Sequence, residues 1–218
     1  MIISIDGPAA SGKSTTAKLL SNKLGYIHLN SGLLYRAVTY VFIKKSLFGK
    51  FEKNLIDFFL KNKIDLKGDN LDKVFWNGID ITEKLSNENI NKNINKISNN
   101  YVIREELVDK QRLLSLNRNI VCEGRDIGTV VFPDAEFKFF LNASIISRVE
   151  RRYEEFKKRN IMVEMEEIHS NLMNRDKNDI NRNLSPLLKA EDAIEVDTTN
   201  LTIDQQVTKI YNLIKQGK

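Results

Sequence analysis

The sequence predicts an α/β protein: a five-stranded parallel sheet flanked by helices and interrupted by a small inserted lobe. Three observations carry that reading. Short apolar runs at the start, at "YIHL", at "NIVCE", at "FKFFL" and at "AIEVD" are separated by helical stretches, the order expected of strands and crossover helices. The glycine-containing loop "DGPAASGKST" stands between the first run and the helix after it. Between the second and third runs the period changes to alternation in "KIDLKGDNLDKVFWNGIDITEKL". Its turn signals at Gly68-Asp69-Asn70 and Asn77-Gly78 mark an antiparallel hairpin unit outside the main sheet.

The glycine loop comes first in the chain and carries the most specific chemistry. Gly7, Gly12, Lys13 and Ser14 match G-x-x-x-x-G-K-[ST], after apolar Ile2-Ile3-Ser4-Ile5 and before the helical Ala17-Lys18-Leu19-Leu20. Strand, loop and helix in that order are the signature of the P-loop NTPase fold. The two glycines allow backbone conformations that a side chain would obstruct. The loop Gly7, Pro8, Ala9, Ala10, Ser11, Gly12, Lys13, Ser14 and Thr15 is therefore expected to cradle phosphate near a helix N-terminus. Lys13 supplies a flexible charge for the β- and γ-phosphates of a nucleoside triphosphate, and the Ser14 hydroxyl is placed to ligate the accompanying Mg²⁺.

The remaining elements follow in order. A strand is expected over Tyr26 to Leu29, then a helix opened by Ser31 and carrying Tyr35 and Arg36. Beyond the hairpin unit, Ile90, Ile94, Ile97, Tyr101, Leu107 and Leu114 recur near helical spacing across 87–116. "NIVCEG", "FKFFLNA" and "AIEVDTT" supply the last three strands. Ligands of such sheets sit at the carboxyl ends of the strands, where Gly7 to Thr15, Ser31, Glu123 to Asp126 and Asp197 to Thr199 all emerge. Between the fourth and fifth strands a charged segment carries Arg148, Arg151, Arg152, Arg159, Arg175 and Arg182. Alone, such a run reads as a solvated helix face. Beside a phosphate loop it reads as mobile cations that neutralise charge and exclude water.

The chain as a whole narrows the function classes. Lys and Arg number 34 against 29 Asp and Glu, a net charge of +5 that permits anionic partners without demanding nucleic acid. No aromatic stacking platform or nucleic-acid motif accompanies it. Cys122, inside "NIVCEG", reads as a small buried strand residue, and a lone cysteine allows no disulfide within the chain. The start lacks a basic region followed by an apolar core, and there is no 18-residue apolar run. A soluble cytoplasmic protein with no membrane partner is expected.

"GRDIGTVVFPDA" at Gly124 to Ala135 is not a general phosphate motif. Together with "IDGPAASGKST", "NSGLLYR", "IRE" followed by Gln111, "NRDKNDINRNLSPL" and "DAIEVDTTNL", it strongly resembles the bacterial cytidylate kinases, in order over nearly the whole chain. That resemblance implies transfer of the γ-phosphoryl group of ATP to CMP or dCMP with Mg²⁺. It implies a core (1–35, 102–146 and 186–218), a monophosphate-binding lobe (about 36–101) and a helical lid (about 147–185). By the same resemblance Arg36, Arg125 and Arg182 would hold the acceptor α-phosphate, Arg175 and Asp179 would face the sugar, and Arg104 and Asp126 would read the base. Lys13, Arg125 and Arg182 would be the catalytic cations, and Ser31 would join the substrate site. Guanidinium forks suit phosphate, and carboxylates accept from hydroxyl and amino groups. The expected partners are ATP and CMP or dCMP, with no nucleic acid, and the expected assembly is a monomer.

Two positions depart from the family pattern. Asn95 stands where a serine often occurs nine residues before the base-reading arginine, with Ser98 at a second serine position, and Asn95 can hydrogen-bond cytosine in that role. Ser86, with Lys84 nearby, replaces an arginine often found just after the hairpin lobe. Other small-molecule P-loop kinases, for adenylate, shikimate or gluconate, would share the loop and sheet but not "GRDIGTVVFPDA". A GTP-dependent switch would need an N-K-x-D loop at a strand end, and "NRDKND" lies out of that pattern.

Overall fold

The computed structural model describes residues 1–49 and 55–217, so residues 50–54 of the expected lobe lie outside the described part. The main sheet contains β1 (Ile2–Asp6), β2 (Ile27–Asn30), β6 (Ile120–Glu123), β7 (Phe137–Asn142) and β8 (Ile194–Asp197). Its spatial order is β2-β6-β1-β7-β8, with every neighbouring pair parallel. Ser4 sits at the centre, opposite Cys122 on one side and Lys138 on the other. All five expected strands are present. The second lies one residue later than the expected Tyr26–Leu29, because Asn30 still pairs with Glu123 before the chain turns.

Both faces of the sheet are covered, as a parallel sheet requires. Ile3 and Ile5 of β1, with Val121 of β6, point to the side of α1 (Lys13–Leu24) and α8 (Ile203–Gln216), where Ala17, Leu20 and Ile210 are fully buried. Ile120 and Cys122 point to the opposite side. There they join a larger core with Leu34, Val38 and Phe42 of α2 (Ser31–Lys44), Ile90 and Ile97 of α4 (Glu88–Ser98) and Ile103 of α5 (Tyr101–Ser115). Period two along each strand thus sends alternate residues into two separate cores.

The hairpin unit is a separate three-stranded antiparallel sheet of β3 (Ile64–Lys67), β4 (Lys73–Trp76) and β5 (Ile79–Asp80), preceded by the short helix α3 (Leu55–Lys61). Asn77 and Gly78 both have positive φ, 49° and 84°, the tight-turn chemistry expected between "VFW" and "IDI". The helical run expected across 87–116 is broken into α4 and α5. Asn99 ends the first, and the Asn100 side chain caps the second by accepting from the Ile103 N–H. The charged segment forms a helical hairpin of α6 (Ile145–Lys158) and α7 (Met165–Asn181). Residues Ile127–Val131, inside "GRDIGTVVF", form one turn of π-helix that the sequence reading did not anticipate.

Two glycines show how tightly the sheet grips the loop that leaves it. Gly7, directly after β1, has φ 146°, and a Cβ there would lie 2.0 Å from the Leu141 carbonyl oxygen. Gly25, ending α1, has φ 69° with open space around it. Gly7→Ala is therefore expected to lower the unfolding free energy by about 2–5 kcal/mol, combining backbone strain with overpacking against a rigid strand. Gly25→Ala should cost only the left-handed strain, about 1–2 kcal/mol. Urea denaturation of both variants measures the difference, and equal losses would mean that the strand does not confine Gly7.

Candidate active site

The site is assembled where β1 and β6 end side by side. After Asp6 the chain crosses Gly7 and reverses through Ala10 (φ 59°) and Gly12 (φ 93°) into the first turn of α1. Gly12 is held against the Gln206 side chain, whose amide oxygen would lie 2.7 Å from an added Cβ and which accepts from the Thr16 hydroxyl at 2.8 Å. No side chain caps α1, so its first-turn N–H groups face the loop, the arrangement that attracts anions. The Lys13 ammonium folds back over the loop and donates to the Pro8 carbonyl and, at 3.3 Å, to Ser11 Oγ. Burial, with Arg125 and Arg175 nearby, pulls its pKa well below the ordinary lysine value, while Glu123 and Asp6 oppose the shift.

β6 delivers the facing groups. The Glu123 carboxylate accepts from the Ser14 hydroxyl at 2.7 Å, and its carbonyl accepts from the Ser31 hydroxyl at 2.8 Å, tying phosphate loop, β6 and the start of α2 together. The π-turn after Asp126 is held by Asp6, whose two carboxylate oxygens accept from the N–H groups of Ile127 (2.9 Å) and Gly128 (2.8 Å). Arg125 and Asp126 are thus aimed from a turn anchored to the residue that precedes the loop.

The arginines form a connected frame. Arg104 of α5 is paired with Asp126 and lies over the Tyr35 ring, 5.5 Å from its centroid. Arg125 Nε donates to Asp179 Oδ2 of α7 at 2.8 Å. Burial works against the Arg125 charge, but Asp179 outweighs it and raises its pKa; reciprocally, Arg125 holds Asp179 low against burial. Arg182 donates from Nε to the Ser185 carbonyl. Its buried Nη2 has no hydrogen-bond partner among the described residues, Asp126 Oδ1 being 3.5 Å away. Arg175 makes no ion pair among the described residues, and burial followed by repulsion from Arg125 brings it down to about 10. Arg36 reaches the Leu85 carbonyl (3.0 Å) and Asn91 (2.8 Å) beside the hairpin lobe.

These groups line one cavity of about 870 Å³. Ala9, Ala10, Gly12, Lys13, Ser14, Thr15, Ser31, Arg36, Asn95, Arg104, Arg125, Asp126, Arg175, Asp179 and Arg182 all reach it. Gly7, Pro8 and Ser11 lie behind it as the frame of the loop, and Ser86 does not line it. The cavity also takes in Glu123, expected at this edge but given no role of its own, and Tyr35, which sequence reasoning did not select. The Tyr35 hydroxyl is buried with no partner among the described residues, and burial pushes it up to about 12. Its position beside Arg36 was a signal, but an aromatic at helical spacing more often means core. Nine cationic side chains against six carboxylates line this cavity, so an anionic ligand is needed to balance it. Arg148, grouped in the sequence with the mobile cations, is instead buried in an ion pair with Asp176 and does not line the cavity.

A doubly covered parallel sheet with this loop at its carboxyl edge defines a phosphate-binding protein of the P-loop class. Comparison with known proteins narrows the class. The family model for cytidylate kinase matches residues 3–216. A cytidylate kinase of Thermotoga maritima is 44% identical over 215 residues, covering 98% of this chain and 96% of that protein. One from Lactobacillus gasseri is 42% identical over 217 residues, covering 99% and 94%. The solved structure of an uncharacterised protein from Eubacterium ventriosum shares the fold at a TM-score of 0.55, with 14% identity over 99% of this chain and 98% of that one. The chain belongs to the cytidylate kinase family. No helix among the described residues is long and apolar enough to cross a membrane.

Asp6 gives the site a measurable pH signature. Burial pushes its carboxyl up from 3.8 to about 6, against the Gly128 and Ile127 N–H bonds that favour the charged form. A folded value above the unfolded one means that protonation favours the fold: this contribution is complete below about pH 4 and lost as the pH rises through 6. Between pH 7.5 and pH 4 the native protein should gain on the order of 3 kcal/mol relative to Asp6→Asn. Denaturant titrations across that range measure it, and a pH-independent difference would contradict the assignment.

Proposed function

We propose that the chain transfers the γ-phosphoryl group of ATP to CMP or dCMP, giving ADP and CDP or dCDP, in pyrimidine nucleotide metabolism. One observation carries the reading within the family: the phosphate loop and the arginine–aspartate frame open onto the same cavity, so donor and acceptor phosphates can meet there. Gly7 to Thr15 would hold the donor phosphates, with Lys13 released from the Pro8 carbonyl to the β/γ-phosphates. Arg36, Arg125 and Arg182 would hold the acceptor α-phosphate. The free donor capacity of Arg182 Nη2 supports that role.

Arg175 and Asp179 would face the sugar, and Asn95, Arg104 and Asp126 the base. Ser31 would fix the start of α2 through its bond to Glu123. The acceptor phosphate oxygen is already anionic near neutral pH, so no protein base is required. The chain's work is positioning and charge neutralisation. The Ser14 hydroxyl beside the Glu123 carboxylate offers hard oxygen donors that fit Mg²⁺ taking its other ligands from phosphate and water. Bound there, Mg²⁺ would neutralise charge on the transferring phosphates. The hairpin of α6 and α7 would act as the lid, since its Arg151, Arg152 and Arg175 line the cavity.

Base choice follows from hydrogen-bond polarity. Cytosine presents an amino donor at C4 and acceptors at N3 and O2, matching a carboxylate and a guanidinium respectively. Uracil would turn O4 toward Asp126 and N3–H toward donors, leaving buried groups unpaired at roughly 1–3 kcal/mol each.

ADP release measured with a panel of nucleoside monophosphates tests the proposal. CMP and dCMP should be the acceptors, Lys13→Ala should lose transfer while unfolding normally, and Asp126→Asn should shrink the ratio of kcat/KM for CMP over UMP. Activity of Lys13→Ala within a few-fold of native would remove the loop from the reaction. An unchanged CMP/UMP ratio with both values lowered would make Asp126 a positioning group and not a reader of the base.

A further inference from the structure

Both backbone polar groups of one residue in the phosphate loop are held by the helical hairpin. The Ala9 N–H donates to Asp176 Oδ1 of α7 at 3.4 Å, and the Ala9 carbonyl accepts from Arg148 Nη1 of α6 at 3.3 Å. Arg148 and Asp176 are paired with each other, and Arg148 Nε also donates to the Ala143 carbonyl where β7 gives way to α6. Both residues are buried, at 7% and 8% exposure, and Val149, Ile168 and Leu172 close over Ala9.

Energy alone does not account for this pair. A buried ion pair must repay a desolvation cost of several kcal/mol per ion, and an apolar pair of similar volume often serves stability equally well. What the charged pair supplies is geometry. A carboxylate and a guanidinium together read the N–H and C=O of a single residue, fixing the α6–α7 hairpin to the loop in one register. α7 has a second anchor three residues further on, where Asp179 meets Arg125. Through these two anchors α7 ties Ala9 to Arg175 and Asp179 on the helix and to Arg182 directly after it.

We propose that Arg148 and Asp176 are positioning residues that couple the phosphate loop to the acceptor site through the backbone N–H and C=O of Ala9. The inference rests on the function proposed above, with donor phosphates on the loop and the acceptor beneath the α7 arginines. A ligand that fixes the loop fixes the hairpin with it, so the second nucleotide meets arginines already in place, and each tightens the other by the same factor.

Calorimetric titration of CMP, with and without saturating Mg²⁺ and a non-hydrolysable ATP analogue, measures that factor directly. In the native protein the analogue should tighten CMP on the order of five-fold or more. In the double variant Arg148→Met/Asp176→Leu, which removes both charges together, the factor should fall below about two-fold while both nucleotides still bind. Arg148→Lys keeps a charge for Asp176 but loses the fork that also reaches Ala9, and should show a reduced factor even if the double variant fails to fold. A native-sized factor in either folded variant overturns the proposal, as does a native protein that binds both nucleotides independently. A native protein that binds neither nucleotide overturns the proposed function and this inference with it.

Discussion

Excess buried positive charge at one end of a parallel sheet is the constraint around which this protein is organised. Lys13, Arg104, Arg125, Arg175 and Arg182 converge on one cavity, and the carboxylates there are too few to balance its cations. The consequences are visible at individual groups. Burial and Arg125 bring Arg175 down to about 10, and burial with neighbouring cations pulls Lys13 well below its usual range. Arg125 is instead raised, because Asp179 meets it directly. Phosphate is the chemistry that completes such a cluster, and a family of phosphotransferases is where the chain belongs.

Holding those cations apart from one another demands a rigid frame. The sheet provides it through adjacent strand ends: Asp6 closes β1 and Glu123 closes β6, each spending its carboxylate on a fixed partner, the π-turn amides for Asp6 and the Ser14 hydroxyl for Glu123. The loop between them has little room to relax, since Gly7 is pressed against Leu141 and Gly12 against Gln206. From the far side, Thr198 after β8 donates to the Ser11 carbonyl at 3.1 Å, so strands on both sides of β1 grip the same loop.

Much of this was legible in the sequence because it is written in local patterns. The phosphate loop needs glycines at fixed spacing, and both faces of a parallel strand must be apolar, so the loop and all five strands could be read directly. The break between α4 and α5 was hidden because Ile97 and Tyr101 stay in helical phase across it, although the Asn99-Asn100 pair that makes it was in view. The π-turn at Ile127–Val131 was not legible at all. Nothing in its apolar, β-branched residues favours a helical turn, and the turn is held by Asp6, 121 positions earlier in the chain. Arg148 was misread for a related reason: a helical charge run looks the same whether an arginine meets solvent or a buried partner, and Asp176 lies 28 residues away. Tyr35 escaped notice because an aromatic at helical spacing ordinarily serves the core, and Glu123 was placed at the ligand edge without a role because its partner, Ser14, is 109 residues away.

The central claim, that nucleotide phosphate completes the charge of the cleft, is tested most directly by calorimetric unfolding with CMP and with cytidine at equal concentration. The two ligands share base and sugar and differ only in the phosphate. At a hundred times its Kd, CMP should stabilise the fold by about 2.7 kcal/mol, a rise in Tm of roughly 5–10 °C for a chain of this size. Cytidine at the same concentration should leave Tm within a degree or so of the free protein. Equal stabilisation by cytidine and CMP would contradict the account, since the site would then be organised around the base and not around the phosphate.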